Sequence, residues 1–128
     1  MFDLRSDIAG IPHKADLRGM SLKQIVTGGS ATTEREFIVV SDHMVQGDKV
    51  DGYKPEPEGR MLRGNQFKYW VNSEGEQRET LYDLKNDPGE MVNIACDPRY
   101  KNDLEKCRED MINWAERNRD PYIKFMVK

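Results

Sequence analysis

The chain lacks most of what would mark a metal-binding, membrane or nucleic-acid protein. Its 128 residues contain two cysteines and two histidines. A four-thiolate metal site is excluded, and Cys96 and Cys107 can form either one disulfide or two free thiols. No apolar run approaches the ~20 residues that a membrane-spanning helix needs. The opening MFDLRSDIAG has neither a basic start nor an apolar centre, so it does not read as a signal peptide. With a formal net charge of −3, and Lys and Arg dispersed along the chain, there is no basic footprint for nucleic acid. No internal repeat or low-complexity tract is visible.

What is present is a charged, apolar-poor chain. Charged residues make up 34% and hydrophobic types 37%, enough for one modest core beneath a highly charged surface. The first thirty residues have the character of an arm. Phe2, Leu4 and Ile8 give one apolar stripe, with Gly10 as a stop and Pro12 beyond it. Ser21 is placed to cap a second short helix carrying Leu22, Ile25 and Val26, ended by Gly28-Gly29. Neither helix is long enough to stand alone in water.

Four strands follow. Phe37-Ile38-Val39-Val40 lies within a first strand over 36–44, and its unbroken apolar run predicts burial on both faces. The segment 46–59, rich in Gly, Pro and charge, reads as a long exposed loop. Two strands, 60–63 and 66–72, flank a Gly64-Asn65 turn whose composition suits positive φ. In the second, Phe67, Tyr69 and Val71 alternate with Lys68, Trp70 and Asn72. A last strand runs over 79–84. Asn86-Asp87-Pro88-Gly89 then turns the chain, and Asp97-Pro98 supplies an N-cap and a first-turn proline. From there to about Asn118, Tyr100, Leu104, Cys107, Met111, Trp114 and Ala115 recur at spacings of three and four. That periodicity predicts an amphipathic helix, docked through Leu104, Cys107, Met111 and Trp114. The fold class expected is α+β: a four-stranded antiparallel sheet packed against a long C-terminal helix, with a short helical N-terminal arm.

Several segments resemble the sulfatases, formylglycine-dependent sulfate-ester hydrolases of the alkaline phosphatase superfamily. Asp3-Leu4-Arg5-Ser6-Asp7-Ile8-Ala9-Gly10-Ile11-Pro12 and Gly19-Met20-Ser21-Leu22 are similar to the close of that family's catalytic domain. Arg60-Met61-Leu62-Arg63 with Phe67-Lys68-Tyr69 resembles its Arg-x-Val-Arg…Tyr-Lys-Tyr strand pair. Leu81-Tyr82-Asp83-Leu84-Lys85-Asn86-Asp87-Pro88-Gly89-Glu90, followed by Asn93-Ile94-Ala95, is close to a family consensus. The resemblance divides the chain into residues 1–30, the end of a catalytic α/β domain, and 31–128, the C-terminal subdomain. A parent of this kind implies calcium and formylglycine, and a periplasmic, secreted or lysosomal location.

Neither Cys-Asp-Pro-Arg at Cys96 nor Cys-Arg-Glu-Asp at Cys107 fits the Cys/Ser-x-Pro/Ala-x-Arg motif that yields formylglycine. No catalytic or metal residue of the family is therefore expected in this chain, which should be inactive alone. The resemblance instead assigns it to one side of an active-site cleft. Asp42 and His43, where the first strand ends, are the candidate substrate contacts, against the plainer reading of a surface carboxylate and a partly exposed histidine. Its partner would be the catalytic domain, with a homodimer through the N-terminal arm expected of the isolated chain. The alternative from another class is a free-standing binding or oligomerisation module. Arg60, Arg63 and Lys68 suit an oxyanion but equally suit structural ion pairs. Asp83, Asp87 and Glu90 lack the spacing of an EF-hand and read as turn chemistry. Trp70 and Trp114 read as core or inter-domain packing.

Overall fold

The computed structural model describes residues 8–12, 23–29, 35–43, 48–49, 51–54 and 56–126. The chain divides into two units, Met1–Arg35 and Glu36–Lys128. In the first, Gly10 adopts a left-handed φ of 69° after a helical residue at Ile8, where a stop was expected. A short helix α1 spans Lys23–Val26 and ends at Gly28, also left-handed at φ 77°. Ile8, Ile11, Ile25 and Val26 are exposed. Phe2, Leu4, Ser21 and Leu22 lie outside the described residues.

The second unit is an antiparallel meander of β1 (Phe37–His43), β2 (Glu58–Gly64), β3 (Phe67–Asn72) and β4 (Glu79–Asp83), in that spatial order. Its helix α2 spans Lys101–Asn118, preceded by a 3-10 turn at Pro98–Tyr100 and followed by another at Pro121–Phe125. This is the α+β arrangement that the sequence periodicities predict. Side-chain alternation in register places Val39, Leu62, Tyr69 and Leu81 in one row across the sheet. Leu62, Tyr69, Val71 and Leu81 meet Leu104, Cys107, Met111 and Ala115 of α2, and Tyr122 and Met126 of the tail complete the core. Cys96 and Cys107 are both free, and burial pushes the Cys107 thiol up to about 11.

Three expectations are corrected by the geometry. The apolar run of β1 is buried on one face only: Phe37 and Val39 pack on the core, whereas Ile38 and Val40 are 46% and 42% exposed. A helix covers only one side of the sheet, so a strand of period two presents alternate residues to the open side. The β2–β3 connection takes no positive φ at Gly64, Asn65 or Gln66, and after Pro88-Gly89 the left-handed residue is Glu90, at φ 55°. Trp114 is half-buried rather than central; the helix stripe ends on Ala115, small enough to be covered completely.

The helix boundaries follow from local chemistry. Asp97 accepts the Arg99 N–H at 3.0 Å, and Pro98 opens the first turn. Arg119 takes the left-handed conformation at φ 52° and closes α2 with bonds to the carbonyls of Ala115 and Glu116. Asp120-Pro121 repeats the opening device for the tail, with Asp120 accepting the Tyr122 N–H at 2.9 Å.

Burial fixes which helix residues matter. Met111 is 1% exposed, and Met111→Ala should cost about 2–5 kcal/mol through lost transfer energy and the cavity left behind. Trp114→Ala should cost less than this substitution, because its ring retains solvent contact. Denaturant melts of the two variants check the order.

Candidate functional site

Asp42 and His43 end β1, opposite Gly59 and Glu58 respectively. Successive strand residues face opposite sides, so Asp42 joins the row of Gly59 and Asn72 on the open face, and His43 joins Glu58 on the helix side. Asp42 is half-buried and His43 exposed. The pair therefore brackets the end of the sheet rather than converging on one face.

Other groups gather at this end. The Trp70 indole lies against β2 at Gly59, where a Cβ would stand 2.8 Å from Trp70 Nε1. Only glycine permits that approach. Trp70 Nε1 donates to Asn72 Oδ1 at 2.6 Å. In the β1–β2 loop, Asp51 and Gly52 both have positive φ, 50° and 81°, which reverses the chain at a tight turn. Tyr53 then donates to Glu74 Oε2 at 2.6 Å, tying the loop to the β3–β4 turn. Ser73 secures the start of β2, its Oγ accepting the Glu58 N–H at 3.0 Å.

The basic residues resolve largely into structural pairs. Arg60 is buried and grips Asp120 with two bonds, Nε to Oδ2 and Nη2 to Oδ1, each 3.0 Å. Its Nη1 donates to the Gly59 carbonyl at 2.9 Å, and its guanidinium lies 4.5 Å from the centroid of the Tyr122 ring. Burial opposes the charge on Asp120, but Arg60 and the Tyr122 N–H outweigh it and hold the carboxyl below its ordinary value. Lys68 pairs with Glu90 at 2.5 Å. Arg63 is exposed. A second, partly buried network joins sheet to helix: Tyr69 donates to Glu79 Oε1 at 2.6 Å, and Arg108 Nε donates to the same oxygen at 2.8 Å. Burial again works against Glu79, yet Arg108 and Tyr69 together lower its pKa. The Tyr69 hydroxyl is pushed far up, by burial first and by its bond to Glu79 second.

The acidic turn after β4 is backbone chemistry. Asp83 accepts the N–H groups of Lys85 and Asn86, and Asp87 accepts that of Val92. Asn93 Oδ1 accepts the N–H groups of Leu81 and Ala95, extending the pairing of β4. Among the described residues no three of His, Cys, Asp and Glu converge where a metal ion could sit. The donor set implied by calcium is not found in them. None of their helices is long and apolar enough to cross a membrane. At the opposite end of the sheet from Asp42 is a cavity of about 380 Å³. Phe37, Leu62 and Phe67 form its apolar lining, with Glu36, Asp103 and Asp110 among its polar residues.

Two consequences follow from the ion pairs. Arg60→Ala leaves Asp120 charged and without its counterion, held by the Tyr122 N–H, and should cost about 3–5 kcal/mol, a large share of a total near 5–15 kcal/mol. Acid should also destabilise the fold. Glu79 and Asp120 have folded pKa values below their ordinary 4.5 and 3.8. Their contribution is fully present above those ordinary values and is lost as pH falls through the folded ones. Urea melts at pH 7 and in the acid range below 4, on wild type and on Glu79→Gln, check this; the variant should show a shallower acid loss.

No protein-family model matches the chain. It is similar to the Delta 4,5-hexuronate-2-O-sulfatase of Bacteroides thetaiotaomicron, with 35% identity over 121 residues, covering 94% of this chain and 24% of that protein. Human Arylsulfatase K is 30% identical over 129 residues, covering 93% of this chain and 24% of its own length. The solved structure of a 2-O GAG sulfatase superposes with a TM-score of 0.76 at 31% identity, covering 98% of this chain and 25% of that one. The chain thus spans about a quarter of the length of these relatives. Sequence and fold agree with the sulfatases across nearly all of this chain, which resembles their C-terminal portion.

Proposed function

We propose that this chain is the C-terminal portion of a sulfate-ester hydrolase, lining one side of the active-site cleft and helping to select a sulfated saccharide. The supporting observation is an asymmetry of coverage: sulfatases match more than nine-tenths of this chain, while the chain matches a quarter of them. In this reading the nucleophile, the calcium ligands and the proton-transfer groups belong to the remainder of the parent. Asp42 and His43 contribute contacts at the cleft, one from each side of the sheet end. The β1–β2 loop, held by Tyr53 and Glu74, supplies shape. A carboxylate and an imidazole offer hydrogen bonds to sugar hydroxyls, and a long loop can differ among family members without disturbing the core.

A second reading rests on the exposed Ile8, Ile11, Ile25 and Val26 of the first unit. Apolar side chains on helices too short to be self-supporting suit exchange between copies. This would make the isolated chain an arm-linked homodimer, or a free-standing oligomerisation module. An in-frame Cys/Ser-x-Pro/Ala-x-Arg motif upstream favours the hydrolase, and its absence from the encoding gene favours the module.

The isolated chain, supplied with calcium, should leave an aryl sulfate and a 2-O-sulfated uronate disaccharide intact. Hydrolysis above the enzyme-free blank overturns the assignment of catalysis to the missing part. In the parent enzyme, Asp42→Asn and His43→Ala should raise KM while leaving kcat comparatively unchanged, because they contact the sugar and not the ester. Steady-state kinetics on the parent separate the two parameters.

A further inference from the structure

We propose that the cavity between the β2–β3 hairpin and the first half of α2 binds a small organic cation, an ammonium group carried on an apolar body. The site lies on the helix side of the sheet, at the end away from Asp42 and His43, and does not depend on the sulfatase reading. The cavity is there because one side chain is missing from the row that would fill it. Phe37 pairs with Gly64, and the Arg63–Lys68 pair sets Gly64 across the hairpin from Phe67. Phe37 and Phe67 both pack against the core, so Gly64 between them leaves a gap on the same face. The gap holds about 380 Å³, within the range of small-molecule pockets. Its buried lining residues are Leu62 and Cys107. Burial first, then Asp110 and Asp103, push the Cys107 thiol up to about 11, so this part of the lining is uncharged at neutral pH. Tyr100 packs edge-on against Phe67, ring centroids 6.3 Å apart, and braces that wall.

The mouth has the opposite character. Asp103, Lys106 and Asp110 recur at spacings of three and four along α2, on one helix face, and Glu36 stands just before β1 at the other lip. Three carboxylates against one ammonium leave the mouth with a net charge of −2 (−3 + 1). Lys106 reaches Asp110 at 3.4 Å with 70% of its side chain in solvent, and among the described residues neither Glu36 nor Asp103 has an ion pair. The nearby strand cation Arg63 belongs to the opposite face, beside Ile38 and Lys68, and does not line the cavity. Lys106 itself reports the local field: its ammonium is held above the ordinary value by Asp110 first and by Glu36 as well. A seated cation therefore has carboxylates at the mouth and two phenylalanine rings along the wall, which suits cation–π attraction together with apolar burial. An anion of the same shape meets repulsion at the mouth, and a neutral molecule leaves Asp103 without a counterion.

Amide NMR titration of this chain with three probes of one shape tests the site: phenethylamine, phenethyl alcohol and hydrocinnamate. The amine should shift the amides of Asn65, Gln66, Asp103 and Lys106 saturably, and should bind about tenfold tighter than the alcohol. Asp103→Asn should remove most of that preference while leaving the weaker binding of the alcohol in place. Gly64→Val narrows the gap from within. A Cβ at Gly64 meets only the Glu36 and Phe67 carbonyl oxygens, each at an ordinary 3.7 Å, so this variant should fold. It should lose the amine shifts without a fall in melting temperature. Equal affinity for amine and alcohol, tightest binding by hydrocinnamate, or no saturable shift at the cavity overturns the proposal. So does amine binding that a folded Gly64→Val retains. None of these readouts involves ester hydrolysis, so the sulfatase reading stands or falls separately.

Discussion

The buried pair of Arg60 and Asp120 is the constraint on which the second unit depends. It links the second strand of the sheet to the residue just beyond the helix, and it sets the path of the tail. Asp120 also accepts the Tyr122 N–H, while the Tyr122 hydroxyl donates to the carbonyls of Glu58 and Val71 at 3.1 and 3.0 Å. Arg78 secures the same tail by donating to the Phe125 carbonyl. An apolar pair of similar volume could give comparable stability, but it would not fix a direction. Two parallel hydrogen bonds, with a cation above the Tyr122 ring, admit one geometry for the chain leaving the helix. The core then closes because Tyr122 and Met126 are delivered to it.

Much of this fold is legible in the sequence, since each element carries its own period. The alternation in 67–72 and the three-and-four spacing from Tyr100 to Ala115 each imply one covered face. What periodicity cannot supply is the number of layers. The run Phe37 to Val40 fits a strand buried on both sides and a strand with alternate residues exposed equally well, and local sequence is the same in both cases. The same limit explains Trp114. A large side chain at the right spacing reads as core, but whether it is central depends on where the sheet ends beneath the helix. Asp120-Pro121 is a different kind of miss. It repeats the Asp97-Pro98 signal that is read correctly, but it sits past the apparent end of the ordered pattern.

The residues that carry the family resemblance are mostly occupied with holding backbone. Asp83, Asp87 and Asn93 accept N–H groups in the turn after β4, and Arg60 is committed to Asp120. A consensus built on such residues identifies an architecture and its ancestry; it does not locate chemistry. The candidate contacts Asp42 and His43 lie outside those motifs. They are legible only through the end of β1 and the loop that follows it. The sequence shows them as neighbours, and the register separates them onto opposite sides of the sheet.

The composition and the open sheet face are two aspects of one arrangement. A chain with 37% hydrophobic residues can fill a single layer between sheet and helix, and here ten buried side chains among the described residues do so. Among the described residues after β1, the long amphipathic element is α2, and it packs on the core side. Yet Ile38, Val40, Met61 and Trp70 remain on that side. Of these, Ile38 and Val40 are exposed, whereas Met61 and Trp70 are half-buried. The two sides of the sheet are therefore unequal: the helix side carries the core, and the other carries Ile38 and Val40 with nearly half of their surface in solvent.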